Sequence, residues 1–442
     1  MELRDLIVTP LLILFIYAIA YITRPWVTNT FTRPYFFPAL TAKIVGALAL
    51  GIIYQFYYAG GDTFNFHTHG SRHIWDAFMD SPAKGLTLLF SDGENMNGVY
   101  EYASKIYFLN DQSSYFVIRI AALFDLLTFS TYSATAVLFA LISFGGGWAF
   151  FSYMCRLKPR LRGWIALAVL FIPSVVFWGS GLMKDTLTFA SLGFLTYAVG
   201  NIYEKRNVVR SLLITLVSVF VIFSIKKYIL FCFLPAAMIW FYLLKVRSIR
   251  SQALKILIVP FFVTIVVAAA YYSLLLVGEG DARYSLGKIA ETAKITAYDI
   301  RYYTGREAGS GYSLGELEGT FSSMLGLAPQ AVNVSLFRPY VWEVRNPLMA
   351  LSSVEGLLLL IFTIYVLIKK RAQLFNAFTE PVVLFCLVFS LTFAFAVGVS
   401  TYNFGTLSRY KIPLMPFYLL ALVFVLYYEN KERKTAELER TE

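Results

Sequence analysis

The chain has 442 residues, 58% hydrophobic and 17% aromatic, with only 15% charged and a formal net charge of +11. Soluble domains carry about 25% charged residues, so soluble domains are excluded; 40 Phe and 30 Tyr exclude intrinsic disorder, and 3 Cys exclude a disulfide-stapled secreted fold. The apolar runs are longer than the alternating segments of a β-barrel, which leaves an all-α, polytopic transmembrane helical bundle.

A membrane span takes about 20 apolar residues. Spans are expected at 6–22, 38–58, 132–155, 164–178, 184–200, 211–225, 228–244, 256–277, 348–368, 379–399 and 412–428. That gives about eleven spans in a single integral membrane domain, 1–442. The first is expected to be retained, since no small-residue cleavage site follows it. The apolar stretch 113–130 contains Arg119 and Asp125 and is expected as a helix in the interface or packed within the bundle.

Short loops rich in Lys and Arg mark the cytoplasmic side. They are 156–163, 204–210, 245–255 and 369–371, with the charged tail 429–442. The opposite side receives two long loops, 59–112 and 278–347, where acids, bases, glycines and aromatics mix. Long ordered loops in compact proteins are usually functional, so the chemistry is expected at the extracytoplasmic face. The positive charge follows from topology, and no nucleic-acid partner is expected.

The first candidate cluster follows directly on the second span: Gly60-Gly61-Asp62-Thr63-Phe64-Asn65-Phe66-His67-Thr68-His69. Gly60-Gly61 permits a tight turn. Asp62 is either a helix cap or a carboxylate whose basicity partial burial raises, fit to take a proton from a sugar hydroxyl. His67, His69 and His73 are the histidines of the chain. With Asp62 they form a candidate divalent-metal set, the one cofactor the residues suggest; the alternative is hydrogen bonding to lipid or sugar.

The second cluster is Trp178-Gly179-Ser180-Gly181-Leu182-Met183-Lys184-Asp185. Ionisable groups beside apolar spans are costly unless used or paired. Lys184 and Asp185 therefore either neutralise each other, with Asp185 as a cap, or Lys184 meets a phosphate. Lys227, beside Lys226 at the end of another span, either snorkels to headgroups or binds similarly. In the third cluster, Arg338, Tyr340, Trp342 and Glu343 precede Asn346-Pro347 and an acid inside the next span, Glu355. Arg338 offers a fork for phosphate, and Trp342 either stacks on a sugar or belongs to the interfacial belt. The fourth runs from Tyr402-Asn403 to Arg409-Tyr410-Lys411. Arg409 and Lys411 sit on the side where cations are not expected, which points to an anionic ligand. No nucleotide-binding or serine-hydrolase motif occurs.

The span followed by Gly61-Asp62-Thr63 and Phe66-His67 resembles the GT-C superfamily of polytopic glycosyltransferases. The match carries to Asp62 alone. Segments 336–343 and 403–410 are similar to those of bacterial membrane proteins from surface-polysaccharide gene clusters, and Arg409 before a Pro-containing span looks like the Arg-dependent O-antigen polymerases. The acid here follows the second span, a departure from the usual pattern. The resemblance implies an enzyme of the bacterial inner membrane that transfers a sugar or oligosaccharide from a polyprenyl-phosphate carrier to a glycan or lipid acceptor. Asp62 would be the catalytic base. Substrate-binding candidates are His67, His69, Lys184, Asp185, Lys227, Arg338, Trp342, Glu343, Asn403 and Arg409. Competing readings are a flippase for a lipid-linked glycan, a metal-dependent hydrolase on Asp62, His67, His69 and His73, and a non-catalytic component of a polysaccharide assembly complex.

Overall fold

The computed structural model describes residues 2–91, 96–246, 288–300, 310–315 and 318–428, with 249, 251, 264 and 302. The described residues are helical, with no strand among them beyond an isolated antiparallel bridge between Gly311 and Asn403. Two compact units divide the chain, Met1–Lys227 and Tyr228–Glu442, and each is described by itself.

The first unit contains α1 (Asp5–Val27), α2 (Phe36–Phe56), the short helices α3 (Asp62–Phe66), α4 (Arg72–Asp80), α5 (Pro82–Phe90) and α6 (Tyr100–Ala103), then α7 (Gln112–Thr128), α8 (Tyr132–Leu157), α9 (Arg162–Leu170), α10 (Pro173–Trp178), α11 (Lys184–Tyr203) and α12 (Val208–Ile225). The second contains α13 (Tyr228–Val246), α14 (Ile289–Ile300), α15 (Phe321–Gly326), α16 (Ala328–Phe337), α17 (Pro347–Lys370), α18 (Leu374–Phe378), α19 (Pro381–Thr401), α20 (Phe404–Tyr410) and α21 (Leu414–Leu426).

Among the described residues, seven helices are long and apolar enough to cross a membrane, or eight if α20 and α21, bent by 66°, form one span. The chain is therefore a multi-pass membrane protein. Three expected spans account for the difference from eleven. Segment 164–178 is not continuous, because Pro173 lacks the N–H that would carry the helix on, and the chain breaks at Phe171-Ile172 into α9 and α10. Helix α11 is long enough at 20 residues but carries Lys184, Asp185 and a series of Thr, Ser and Gly. The span expected at 256–277, apart from residue 264, and the 429–442 tail lie outside the described residues, as does part of 278–347. The stretch 113–130 is α7, with Tyr115, Val117, Ile118 and Asp125 fully buried. It packs within its unit.

Backbones approach closely where side chains are absent. A Cβ on Gly46 of α2 would stand 2.2 Å from the Val176 carbonyl oxygen of α10, and one on Gly146 of α8 would stand 2.2 Å from that of Ala190 on α11. Small residues at such crossings are how helices associate without a hydrophobic driving force. The second unit has such crossings too, with a Cβ on Gly398 of α19 standing 2.3 Å from the Ala331 carbonyl oxygen of α16, and it packs aromatics between helices: Trp240 of α13 stacks on Phe385 of α19 at 4.6 Å, and Phe389 of α19 lies tilted against Phe417 of α21 at 4.5 Å.

Candidate functional site

In the first unit, α2 ends at Tyr57 and the chain turns through Ala59, Gly60 and Gly61, with φ of 55°, 134° and 117°. Glycine reaches that region without steric cost, so the turn is compact and α3 starts at once, with Asp62 as its first residue. Asp62 is half-buried. The residues after it are pinned to α7 and α8. Thr63 shares a hydrogen bond of 2.8 Å with the Tyr132 hydroxyl, and Phe64 stacks on the Tyr132 ring at 4.5 Å.

Beyond α3 the helix widens into a π segment, His67–Ser71, a feature frequent at functional sites. It turns His67 inward, fully buried, with Nε2 at 3.4 Å from Oδ1 of Asp125. Asp125, also fully buried, accepts hydrogen bonds from Ser71 (2.6 Å) and Thr135 (2.7 Å). Neither His67 nitrogen has a hydrogen-bond partner. His69, one turn segment on, is exposed, with non-helical torsions. His73 faces Asp76 at 3.6 Å; burial lowers its pKa below the ordinary value, against the Asp76 charge. Among the described residues no set of His, Cys, Asp and Glu is arranged to hold a metal. Asp62, His67, His69 and His73 are thus not gathered into the alternative metal set, because the π segment sends His67 inward and His69 outward.

The second cluster also changes meaning. Residues Trp178 to Met183 are all buried, not an exposed turn. Irregular backbone at membrane depth is tolerated when buried in protein, and here its carbonyls are used. The Gly179 carbonyl accepts from Ser143 Oγ (2.5 Å) and from Lys43 Nζ (3.1 Å), which also reaches the Val175 carbonyl (3.1 Å). Lys184 and Asp185 do not neutralise each other. Lys184 donates to Asp111 (3.0 Å) and Ser113 (2.7 Å), while Asp185 takes the buried ammonium of Lys226. Lys227 lies over the Phe223 ring at 5.1 Å.

In the second unit, Arg338 forms a fork with Glu343: Nε lies 2.9 Å from Oε2, and Nη2 contacts Oε1. Glu343 also accepts from the Tyr340 backbone N–H at 2.8 Å. Burial raises the Glu343 pKa, but Arg338 and that N–H outweigh it and hold it below its usual value. The guanidinium lies near the rings of Phe404 (5.3 Å), Tyr312 (5.7 Å) and Tyr340 (6.0 Å). Arg338 is thus enclosed by its own neighbours. Trp342 is 81% exposed and stacks on Tyr340 at 4.8 Å. Asn403 is buried as the N-cap of α20: Oδ1 accepts from Thr406 N (3.0 Å), and Nδ2 donates to Ser310 (3.1 Å).

Arg409 is half-buried. Lys411, in the break between α20 and α21, is 1% exposed, and its Nζ has no hydrogen-bond partner. Helix α17 packs on both halves of this bent pair. It brings Ser352 Oγ to 3.1 Å from Ser408 Oγ, and Glu355 close enough for its charge to act on Lys411.

The site residues missed at first were Asp125 as a partner of His67, Lys226 as the partner of Asp185, and Lys43. Each had one visible signal: an ionisable residue inside or at the end of an apolar run. The sequence matches no family model, no curated protein and no solved structure.

Proposed function

We propose that the protein is a membrane glycosyltransferase of the extracytoplasmic face, with a polyprenyl-phosphate-linked sugar or oligosaccharide as donor and a glycan or lipid acceptor. The observation that carries this reading is the placement of Asp62. It is a half-buried carboxylate on the first residue of a helix, one tight turn after a membrane-spanning helix. Its backbone is fixed by the Thr63–Tyr132 hydrogen bond and the burial of His67. A carboxylate so held can take the proton of an acceptor hydroxyl as that oxygen attacks the anomeric carbon and the lipid phosphate departs. Exposed tyrosines beside it, Tyr57 and Tyr58, offer faces for sugar rings.

The cations divide under this reading. Lys184 and Arg338 are committed to Asp111 and Glu343 and serve to build the fold. Lys227 lies over Phe223 and Arg409 is half-buried; both are proposed as donor-phosphate contacts on charge alone. His69 and Trp342, both exposed, remain candidates for sugar contact.

A flippase for a lipid-linked glycan is the second reading. Interrupted helices bearing ionisable groups, as at Lys411, are typical of transport sites. Purified wild-type protein and Asp62→Asn in lipid nanodiscs, supplied with a polyprenyl-linked sugar pool and acceptor, separate the two. Acceptor-dependent release of lipid phosphate by wild type, lost in Asp62→Asn, is the expected result. Equal lipid binding by both, with no release, would favour the flippase.

A further inference from the structure

We propose that the groove along residues 96–110, beside the π segment of the first unit, binds a neutral saccharide. The proposal rests on the glycosyltransferase reading and deepens it by giving the acceptor glycan a place to dock. Its test reads binding rather than turnover, so it and the Asp62 test can fail separately.

The segment belongs to the first long loop, expected at the extracytoplasmic face, and it is held in place. Val99, Ala103 and Ile106 are buried. Backbone bonds run from Ser104 N to the Tyr100 carbonyl (3.0 Å) and from Ile106 N to the Ala103 carbonyl (3.1 Å). The Tyr107 N–H donates to the His69 carbonyl at 2.9 Å, and Phe108 packs on Phe66, the last residue of α3, at 5.3 Å. The groove therefore stands on the elements that follow Asp62.

A cavity of about 720 Å³ opens along this segment, within the range of about 300–1,000 Å³ usual for small-molecule sites. Tyr100 and Tyr107 line it and are 73% and 69% exposed. Asn97, Ser104 and Asn110, all exposed, supply its polar side chains. Gly98, at a φ of 77°, has nothing within 4 Å of where a Cβ would stand, so that point of the groove is clear. Among the described residues that line it there is no Asp, Glu, Lys, Arg or His.

That combination selects the ligand. A saccharide carries apolar C–H faces ringed by hydroxyls. A tyrosine ring takes the faces, and side-chain amides, which donate and accept at once, take adjacent hydroxyls. An anion would meet no cation in this lining. A lipid tail would cover the amides and the serine hydroxyl without bonding them, which is costly.

The test titrates the full chain in nanodiscs, followed by saturation-transfer NMR, with three kinds of probe. These are neutral tetrasaccharides of glucose, galactose, mannose and N-acetylglucosamine, a sulfated tetrasaccharide, and a short-chain polyprenol. Binding of at least one neutral tetrasaccharide is expected, weakened about 3–10-fold in Tyr107→Ala. Tyr107→Phe, which keeps the ring, should stay within about threefold of wild type. Asn110→Ala, at a second exposed position, is expected to weaken binding as well, and thermal unfolding checks that each variant is folded. Binding of none of the neutral tetrasaccharides, unchanged binding in both alanine variants, or tighter binding of the sulfated probe would overturn the proposal. Polyprenol binding that falls in Tyr107→Ala would give the groove to lipid and overturn it too. Saccharide binding without acceptor-dependent release of lipid phosphate would leave the groove standing and remove the reaction; release without saccharide binding would do the reverse.

Discussion

Asp185 is bound to Lys226 at the end of α12, not to Lys184 beside it in the chain. The pair is nearly dry, with side chains 3% and 8% exposed. A residue at the start of α11 is thereby tied to the helix that α11 packs against. Removing one partner of a buried pair leaves an uncompensated charge, at a cost of about 3–5 kcal/mol, whereas an apolar replacement of both is often neutral. Lys226→Met is therefore expected to lower the thermal stability of detergent-solubilised protein sharply. The double variant Asp185→Leu/Lys226→Met should recover most of the loss. A double variant no better than the sum of the singles would show that the pair is not coupled.

Lys184 has its own partner, and that bond gives a pH dependence. Burial raises the pKa of Asp111, but the Lys184 charge and bonds from Ser114, Lys184 and Ser113 outweigh it and bring it down to about 2. The folded value lies below the unfolded one, so this contribution to stability is complete above about pH 4 and is lost as pH falls toward 2. Lys184→Met should move the Asp111 titration upward, readable by carboxyl-selective NMR. The acid limb of the unfolding curve should begin at higher pH in the variant.

Arg338 and Glu343 test whether the third cluster builds the fold or binds substrate. The planar fork fits the carboxylate in a way a lysine cannot reproduce. Arg338→Lys is expected to cost about 1–3 kcal/mol of stability, measured by thermal unfolding, with Glu343→Gln costing a similar amount. Loss of phosphate-lipid binding in Arg338→Lys at unchanged stability would instead return Arg338 to the binding machinery.

Gly46 sits where α2 meets the Val176 carbonyl. Gly46→Ala must push α2 and α10 apart, because the obstacle is backbone. Overpacking of this kind costs about 1–3 kcal/mol. The same shift would draw Lys43 from the Val175 and Gly179 carbonyls, so Gly46→Ala combined with Lys43→Met should destabilise less than the two effects added.

Composition and the length of apolar runs determined that this chain is an all-helical, multi-pass membrane protein, because a lipid environment leaves a backbone few ways to satisfy its hydrogen bonds. The sequence also located the residues worth explaining: Asp62 after a Gly-Gly turn, Lys184 and Asp185, Arg338 and Glu343, and the cations around Arg409. Partners were another matter. That Asp185 meets Lys226, and that His67 turns inward to Asp125 while His69 faces out, depend on how helices cross and where a π segment rotates the chain. Those are decided by packing between elements distant in sequence. Hydrophobic periodicity specifies which stripe of a helix is buried, but not which neighbour a buried charge will find.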